Sequence, residues 1–445
     1  MSEHPLDLST RLIDSGVVDT PPNRITEELS ELADGVALIE SFSHVVAVDT
    51  GDGLVTFDAS GFRSGPKVVE SLRRWSSDPI HTIVYTHGHL DHVGGSSAFA
   101  ADAADRGRPT PRVVAHERLV DRFDRYQQTS GYNQVINMRQ FGGAATAAGQ
   151  RAERPFLHQD TLRPDLTYRD RLADRVGALD LELNYCKGET DDHTWTWIPA
   201  HEMICAGDQF IWNFPNCGNP QKVQRYPIEW ARSLRAMAAR QPELFVPAHG
   251  LPITGRDRIA HCLETVASTL ETLVAQVLDA MNAGAVLDEI LNTVSVPRDV
   301  LELPYLRPLY DEPEFVIRNI WRLFGGWWDG NPARLKPPSD RAIGAEIARL
   351  AGGAEVLVDR AVNLAADGEH RLACQLIEYA AAAEPESHAV HEARAKIYGS
   401  RRGAESSLMA KGIYQSARAD SQNVLTGEAP PVKMVLSIGE DPPVD

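Results

Sequence analysis

The sequence predicts an α/β domain followed by an all-α domain. Three observations carry this expectation. Short apolar runs alternate with helical stretches between about residues 30 and 280. After Gly284 the pattern changes to amphipathic helices. The segment THGHLDHVGG, residues 86–95, follows the apolar run IHTIVYT, so a cluster of metal-binding side chains leaves a strand end.

The elements follow in order. Residues 1–30 are polar and read as an N-terminal arm. GVALIESFSHVVAVDTGDGLVTFDAS reads as short strands broken by Gly-Asp-Gly. PKVVESLRRWSS is helical, and PRVVAHERLV is a strand leading into a helix. Residues 120–160 form an irregular excursion, a length that often builds a pocket wall. Strands return at LELNYCKGE, TWTWIPA and EMICAGD. The helix IEWARSLRAMAAR, the strand ELFVPAHG and a helix from Asp257 to about Asn282 complete a domain spanning 31–283. Residues 284–420 carry paired amphipathic helices such as GGAEVLVDRAVNLAADG and HRLACQLIEYAAAAEP, and 421–445 read as a tail.

Composition removes several function classes. The 62 acidic residues outnumber the 44 basic ones, for a net charge of −18. Such a surface repels nucleic acid and anionic membranes. The five cysteines form no CxxC pair, which speaks against a disulfide framework and suits a reducing compartment. No basic start precedes an apolar run, so no signal peptide is expected, and cytoplasmic is the expected location.

Imidazole and carboxylate are good zinc ligands. His87 and His89, two residues apart, can converge on one ion, while Asp91 and His92 point at a second. The glycines that follow permit close backbone approach. Further ligands must come from elsewhere, and the candidates again sit at strand ends: His193 in GETDDHTWTW, Asp208 in ICAGDQF and His249 in VPAHGLP. His116, His158, His201 and His261 read as ordinary structural histidines.

With these blocks in this order, the chain resembles the metallo-β-lactamase superfamily over about residues 35–260. The resemblance implies an αββα sandwich with two zinc ions per chain at one edge. His87, His89 and His193 would hold one ion, and Asp91, His92 and His249 the other. Asp208 would bridge them, and Asp58 would orient a ligand from behind. Two zinc ions lower the pKa of a shared water, giving a hydroxide nucleophile at neutral pH. Asp91 is the candidate catalytic residue, orienting that water's proton.

The stretch RNIWRLFGGWWDGNPARLKPP and the helical hairpin after it resemble the dimerisation region of alkylsulfatases. This implies a homodimer acting on a small anionic or amphiphilic substrate. Alkylsulfatases carry glutamates where this chain offers His193 and Asp208, and QFIWNFPNCGNPQKVQRYP replaces their polar stretch. Too few residues follow position 420 for their sterol-carrier-like domain. The expected function is dinuclear zinc hydrolysis of an ester-type bond, with alkyl sulfate esters among the candidates. The alternatives are a lactonase or β-lactamase-like hydrolase and a non-catalytic metal-binding scaffold. Gly131–Gly149 and Phe210–Pro227 are expected to form the pocket, with Tyr132, Asn133, Arg139, Trp212, Asn213, Asn219, Lys222 and Arg225 as candidate contacts.

Overall fold

The computed structural model describes residues 3–145 and 155–428. These fall into two compact units. Among the described residues, the first takes 3–128 and 157–327; the second takes 129–145, 155–156 and 328–428.

The first unit contains two facing sheets. One is seven-stranded: β1 Leu29–Ala33, β2 Val36–Ile39, β3 Val45–Asp49, β4 Leu54–Phe57, β5 Ile80–Val84, β6 Arg112–His116 and β7 Leu166–Tyr168, in that order across the sheet. Pairing is antiparallel from β1 to β4 and parallel from β4 to β7. The other comprises β8 Arg171–Val176, β9 Leu179–Cys186, β10 His193–Ile198, β11 Met203–Gly207, β12 Leu244–Pro247 and β13 Ile253–Thr254. Only β11 and β12 run parallel in it.

Strand alternation builds the layers. Met203 and Cys205 of β11 join Val55 and Phe57 of β4 in the core between the sheets. Ile204 and Ala206 face the other way, onto a helical layer. That layer contains α7 Pro227–Ala238 and α8 Arg256–Asn282, together with α9 Leu287–Thr293 and α11 Pro313–Gly325, which flank the short α10 Arg298–Leu301. Helices α2 Gly65–Trp75, α3 Leu90–Val93, α4 Ser96–Asp105 and α5 Arg118–Gln128 follow strands of the first sheet. Within the segment expected as a polar arm, α1 Pro5–Ser15 buries Leu8 and Leu12 in the same helical layer. One apolar pair four residues apart is enough to dock that helix.

The second unit is helical. It contains α6 Ser130–Gln140, α12 Asp340–Ala351, α13 Ala354–Ala366, α14 His370–Ala383, α15 His388–Gly403 and α16 Leu408–Thr426. Ala361, Ala373, Ile377, Ala380 and Ile397 fill its core, and the small alanines permit close helix packing. The expected excursion contributes α6 to this unit. A Cβ at Gly412 of α16 would lie 1.8 Å from the Gln140 carbonyl oxygen, so glycine is required for α6 to approach. Residues 146–149 of the expected pocket wall and 429–445 of the expected tail lie outside the described residues. Among the described residues, no helix is long and apolar enough to cross a membrane.

The glycine pair after the histidine cluster has a packing reason. A Cβ on Gly95 would sit 2.1 Å from the Ala59 carbonyl oxygen. Gly95→Ala is therefore expected to cost about 1–3 kcal/mol. It should lower the urea midpoint at constant m-value, and an unchanged midpoint would contradict this packing.

Candidate metal centre

The cluster is built on strand ends. β5 stops at Val84, and the chain turns through His87 and His89 before α3 presents Asp91 and His92. Asp58, just past β4, ties this turn down. Its Oδ1 accepts the Thr86 N–H at 2.7 Å, and its Oδ2 accepts the Thr86 hydroxyl at 2.8 Å and His92 Nδ1 at 2.7 Å. His87 Nδ1 lies 3.1 Å from Thr86 Oγ1. With Nδ1 of each ring donating outward, both Nε2 lone pairs face the cleft. Asp58 and Ser60 hold left-handed backbone, φ 61° and 57°, unusual for residues with a Cβ.

Two groups of potential ligands result: His87, His89, Glu189 and Asp208, then Asp91, His92 and His249. Within each, the donor atoms lie within 4.8 Å of one another. Asp208, directly after β11, lies between the groups. Its Oδ2 is 3.8 Å from His87 Nε2 and 3.5 Å from His249 Nε2, and its Oδ1 is 3.5 Å from His92 Nε2. Asp91 Oδ2 is 3.3 Å from His249 Nε2. Burial opposes charge on His92, yet Asp208, Asp91 and Asp58 together hold its pKa well above the ordinary value. Burial also opposes ionisation of Asp208, but His249 and His92 keep it well below the carboxylate range.

One expected ligand is corrected. His193 lies outside both groups. Its Nε2 accepts the Asp208 backbone N–H at 3.0 Å, and its Nδ1 faces Cys186 Sγ at 3.6 Å. Both ring nitrogens are thus engaged, and His193 holds Asp208 from behind. A Cβ at Gly207, φ 56°, would meet the His193 ring at 2.7 Å. Glu189, four residues earlier in GETDDH, stands in the first group instead, with its Oε1 3.7 Å from His89 Nδ1. A glutamate thus stands in this group where His193 was expected. The available signal was an acid placed directly after Gly188, where a Cβ would strike the Gln209 amide at 2.5 Å.

Buried residues missed in the sequence reading hold these loops. Arg122 donates to Asp192 at 2.9 Å and to Asp191 at 2.6 Å, and Asp192 accepts the Gly88 N–H at 3.0 Å between the two histidines. His44 Nε2 donates to the Gly250 carbonyl at 2.6 Å, fixing the turn after His249. Trp212, expected in the pocket, is fully buried under that turn and donates to the Leu251 carbonyl at 2.7 Å. Arg225, expected to contact substrate, donates instead to Glu189 at 2.6 Å. Asn213 and Asn219 are buried, bonding the Ile211 carbonyl and the Gln221 N–H. Tyr132, Asn133 and Arg139 lie on α6 of the second unit. Tyr132 is exposed there, and Asn133 bonds Thr129 at 2.7 Å. Burial, then Arg225, lowers the Lys222 pKa to about 8, while Asp91 and Glu189 act in the opposite direction.

The donor set fits divalent cations. His92 Nε2, Asp208 Oδ1 and Glu189 Oε2 are buried without a hydrogen-bond partner among the described residues. Buried polar atoms left without a partner in this way are rare unless an ion or water fills the gap.

Comparison with known proteins matches two families to this chain. The metallo-beta-lactamase superfamily matches residues 38–249, and the alkyl sulfatase dimerisation family matches residues 286–423. A linear primary-alkylsulfatase of a Pseudomonas species is 26% identical over 81% of this chain and 69% of its own. An (R)-specific secondary-alkylsulfatase of Pseudomonas is 24% identical over 79% of this chain, which spans only 54% of that relative's length. The solved structure of the stereoselective inverting sec-alkylsulfatase Pisa1 of Pseudomonas shares the fold. Its TM-score is 0.78 at 19% identity, over 90% of this chain and 66% of that one.

Removing the His193 ring leaves the buried Asp208 N–H unpaired. His193→Ala is expected to cost about 1–3 kcal/mol, read as a lower denaturation midpoint. Unchanged stability would contradict the assigned bond.

Proposed function

We propose that this chain, a metallo-β-lactamase domain followed by an alkyl sulfatase dimerisation domain, is a hydrolase with two zinc ions whose substrate is a small anionic or amphiphilic ester, alkyl sulfate esters foremost. The observation that carries this is the pair of ligand groups meeting at Asp208. His87, His89 and Glu189 would hold one ion, Asp91, His92 and His249 the other, and Asp208 both. Zinc at such a site lowers the pKa of water and polarises the bond to be cleaved.

The chain's own residues supply orientation. Asp58 fixes the His92 tautomer, and the His193 ring fixes the Asp208 backbone. Asp91 keeps more exposure than Asp208 and would hold the proton of an incoming water. Charge supports an anionic substrate. Among the described residues, Asp58, Asp91, Glu189, Asp192 and Asp208 face two buried guanidiniums, Arg122 and Arg225. Two divalent ions would reverse that balance and draw an anion in. Lys222 adds a cation whose charge is sensed by Asp91 and Glu189.

A homodimer suits the second unit. Ile343, Leu350, Val356, Val362 and Leu372 are exposed on α12, α13 and α14, a surface that a second copy could cover.

The test pairs metal analysis with a hydrolysis screen over alkyl sulfates, aryl esters, lactones, β-lactams and phosphodiesters. We expect two zinc ions per chain and sulfate release from an alkyl sulfate, with Glu189→Gln losing one ion. Two bound ions with no turnover in any class would overturn the hydrolase reading. Turnover confined to lactones or β-lactams would overturn the sulfate ester assignment.

A further inference from the structure

Glu189 is gripped through one oxygen only. Its Oε1 accepts from Arg225 Nη1 at 2.6 Å and from Asn216 Nδ2 at 2.5 Å. Arg225 Nη1 also donates to the Asn216 carbonyl, closing a small ring of hydrogen bonds. The three side chains are almost completely buried. Glu189 Oε2 is buried without a partner among the described residues. The arginine is itself held from α11. Asn319 Oδ1 accepts the Arg225 N–H at 3.3 Å, and its Nδ2 donates to the Arg225 carbonyl at 3.0 Å. Asp311, just before α11, accepts the Gly218 N–H at 2.6 Å and anchors the same loop.

We propose that Arg225 is a positioning residue. With Asn216 it grips Glu189 Oε1, the oxygen that lies 3.7 Å from His89 Nδ1, and so fixes the carboxylate beside its ion. This rests on the assignment of Glu189 as a ligand. Two donors on one oxygen leave the carboxylate little freedom to swing. Arg225 would therefore set the affinity and geometry of the His87–His89–Glu189 half-site, while the Asp91–His92–His249 half-site keeps its own ligands. An arginine in this loop otherwise suggests a substrate-anion contact, but this guanidinium gives its Nη1 to Glu189.

The test uses the full chain with Zn2+ and Co2+ as probes. Ion affinity is read by chelator competition, and coordination is read from the Co2+ absorption spectrum. Arg225→Gln is expected to weaken one of the two ions about 10–100-fold and to shift the Co2+ bands of that ion only. Arg225→Lys, which restores a cation and one donor, should recover part of the lost affinity. Glu189→Gln separates the two levels of the account. If it loses no ion, the ligand assignment fails. If it loses an ion while Arg225→Gln leaves affinity and spectrum unchanged, the positioning role fails. Circular dichroism of the ion-free protein checks folding. Should Arg225→Gln not fold, Asn216→Ala removes the other Oε1 donor and should weaken the same ion by a smaller factor. Unchanged affinity and spectrum in that variant would equally overturn the proposal.

Discussion

Crowded negative charge is the constraint on which the rest of this structure depends. Asp58, Glu189, Asp192 and Asp208 are buried around one cleft, with Asp91 at its edge. Taking such groups out of water costs several kcal/mol each unless partners compensate. The chain compensates individually. Arg225 pairs with Glu189, whose pKa burial still raises, Arg122 neutralises Asp192, and Thr86 with His92 satisfies Asp58. Asp91 and Asp208 are left to share the imidazoles of His92 and His249. The same crowding holds the pKa of both rings above the ordinary value, an attraction that a bound cation would replace.

The two-sheet architecture exists at the site as a set of strand ends. β4 delivers Asp58, β5 the paired histidines, β11 Asp208 and β12 His249, while the loop between β9 and β10 delivers Glu189. Converging so many short connections on one point requires close backbone contact. Gly88 lies against Arg122, Gly207 against His193, and Gly250, φ 89°, against Trp212. The left-handed Asp58 and Ser60 are part of the same compression. Strain of this kind persists where the surroundings over-determine it, as hydrogen bonds from three elements do for Asp58.

The sandwich, the helical half and the THGHLDH turn were legible in the sequence because each rests on local spacing. Alternation marked β11, and the four candidate ligands from His87 to His92 lie in a single turn. The choice between Glu189 and His193 was not legible. Both sit in GETDDH, and the decision is made by the Asp208 N–H and by Arg225, 15 and 36 residues away. Trp212 misled for a related reason. An aromatic residue in a polar loop reads as a pocket wall, whereas the Leu251 carbonyl draws it into the core. The excursion carrying Tyr132, Asn133 and Arg139 gave no local sign that α6 packs with α16, because a glycine 272 residues beyond Gln140 makes room for it.

The most direct measurement of the account is zinc-edge anomalous diffraction from crystals of the zinc-loaded protein. The account predicts two peaks. One should lie within about 2.0–2.2 Å of donor atoms from His87, His89, Glu189 and Asp208, and the other should be held by Asp91, His92, His249 and Asp208. A peak bound by His193 Nε2 with Glu189 outside its shell, or a single peak, would contradict it.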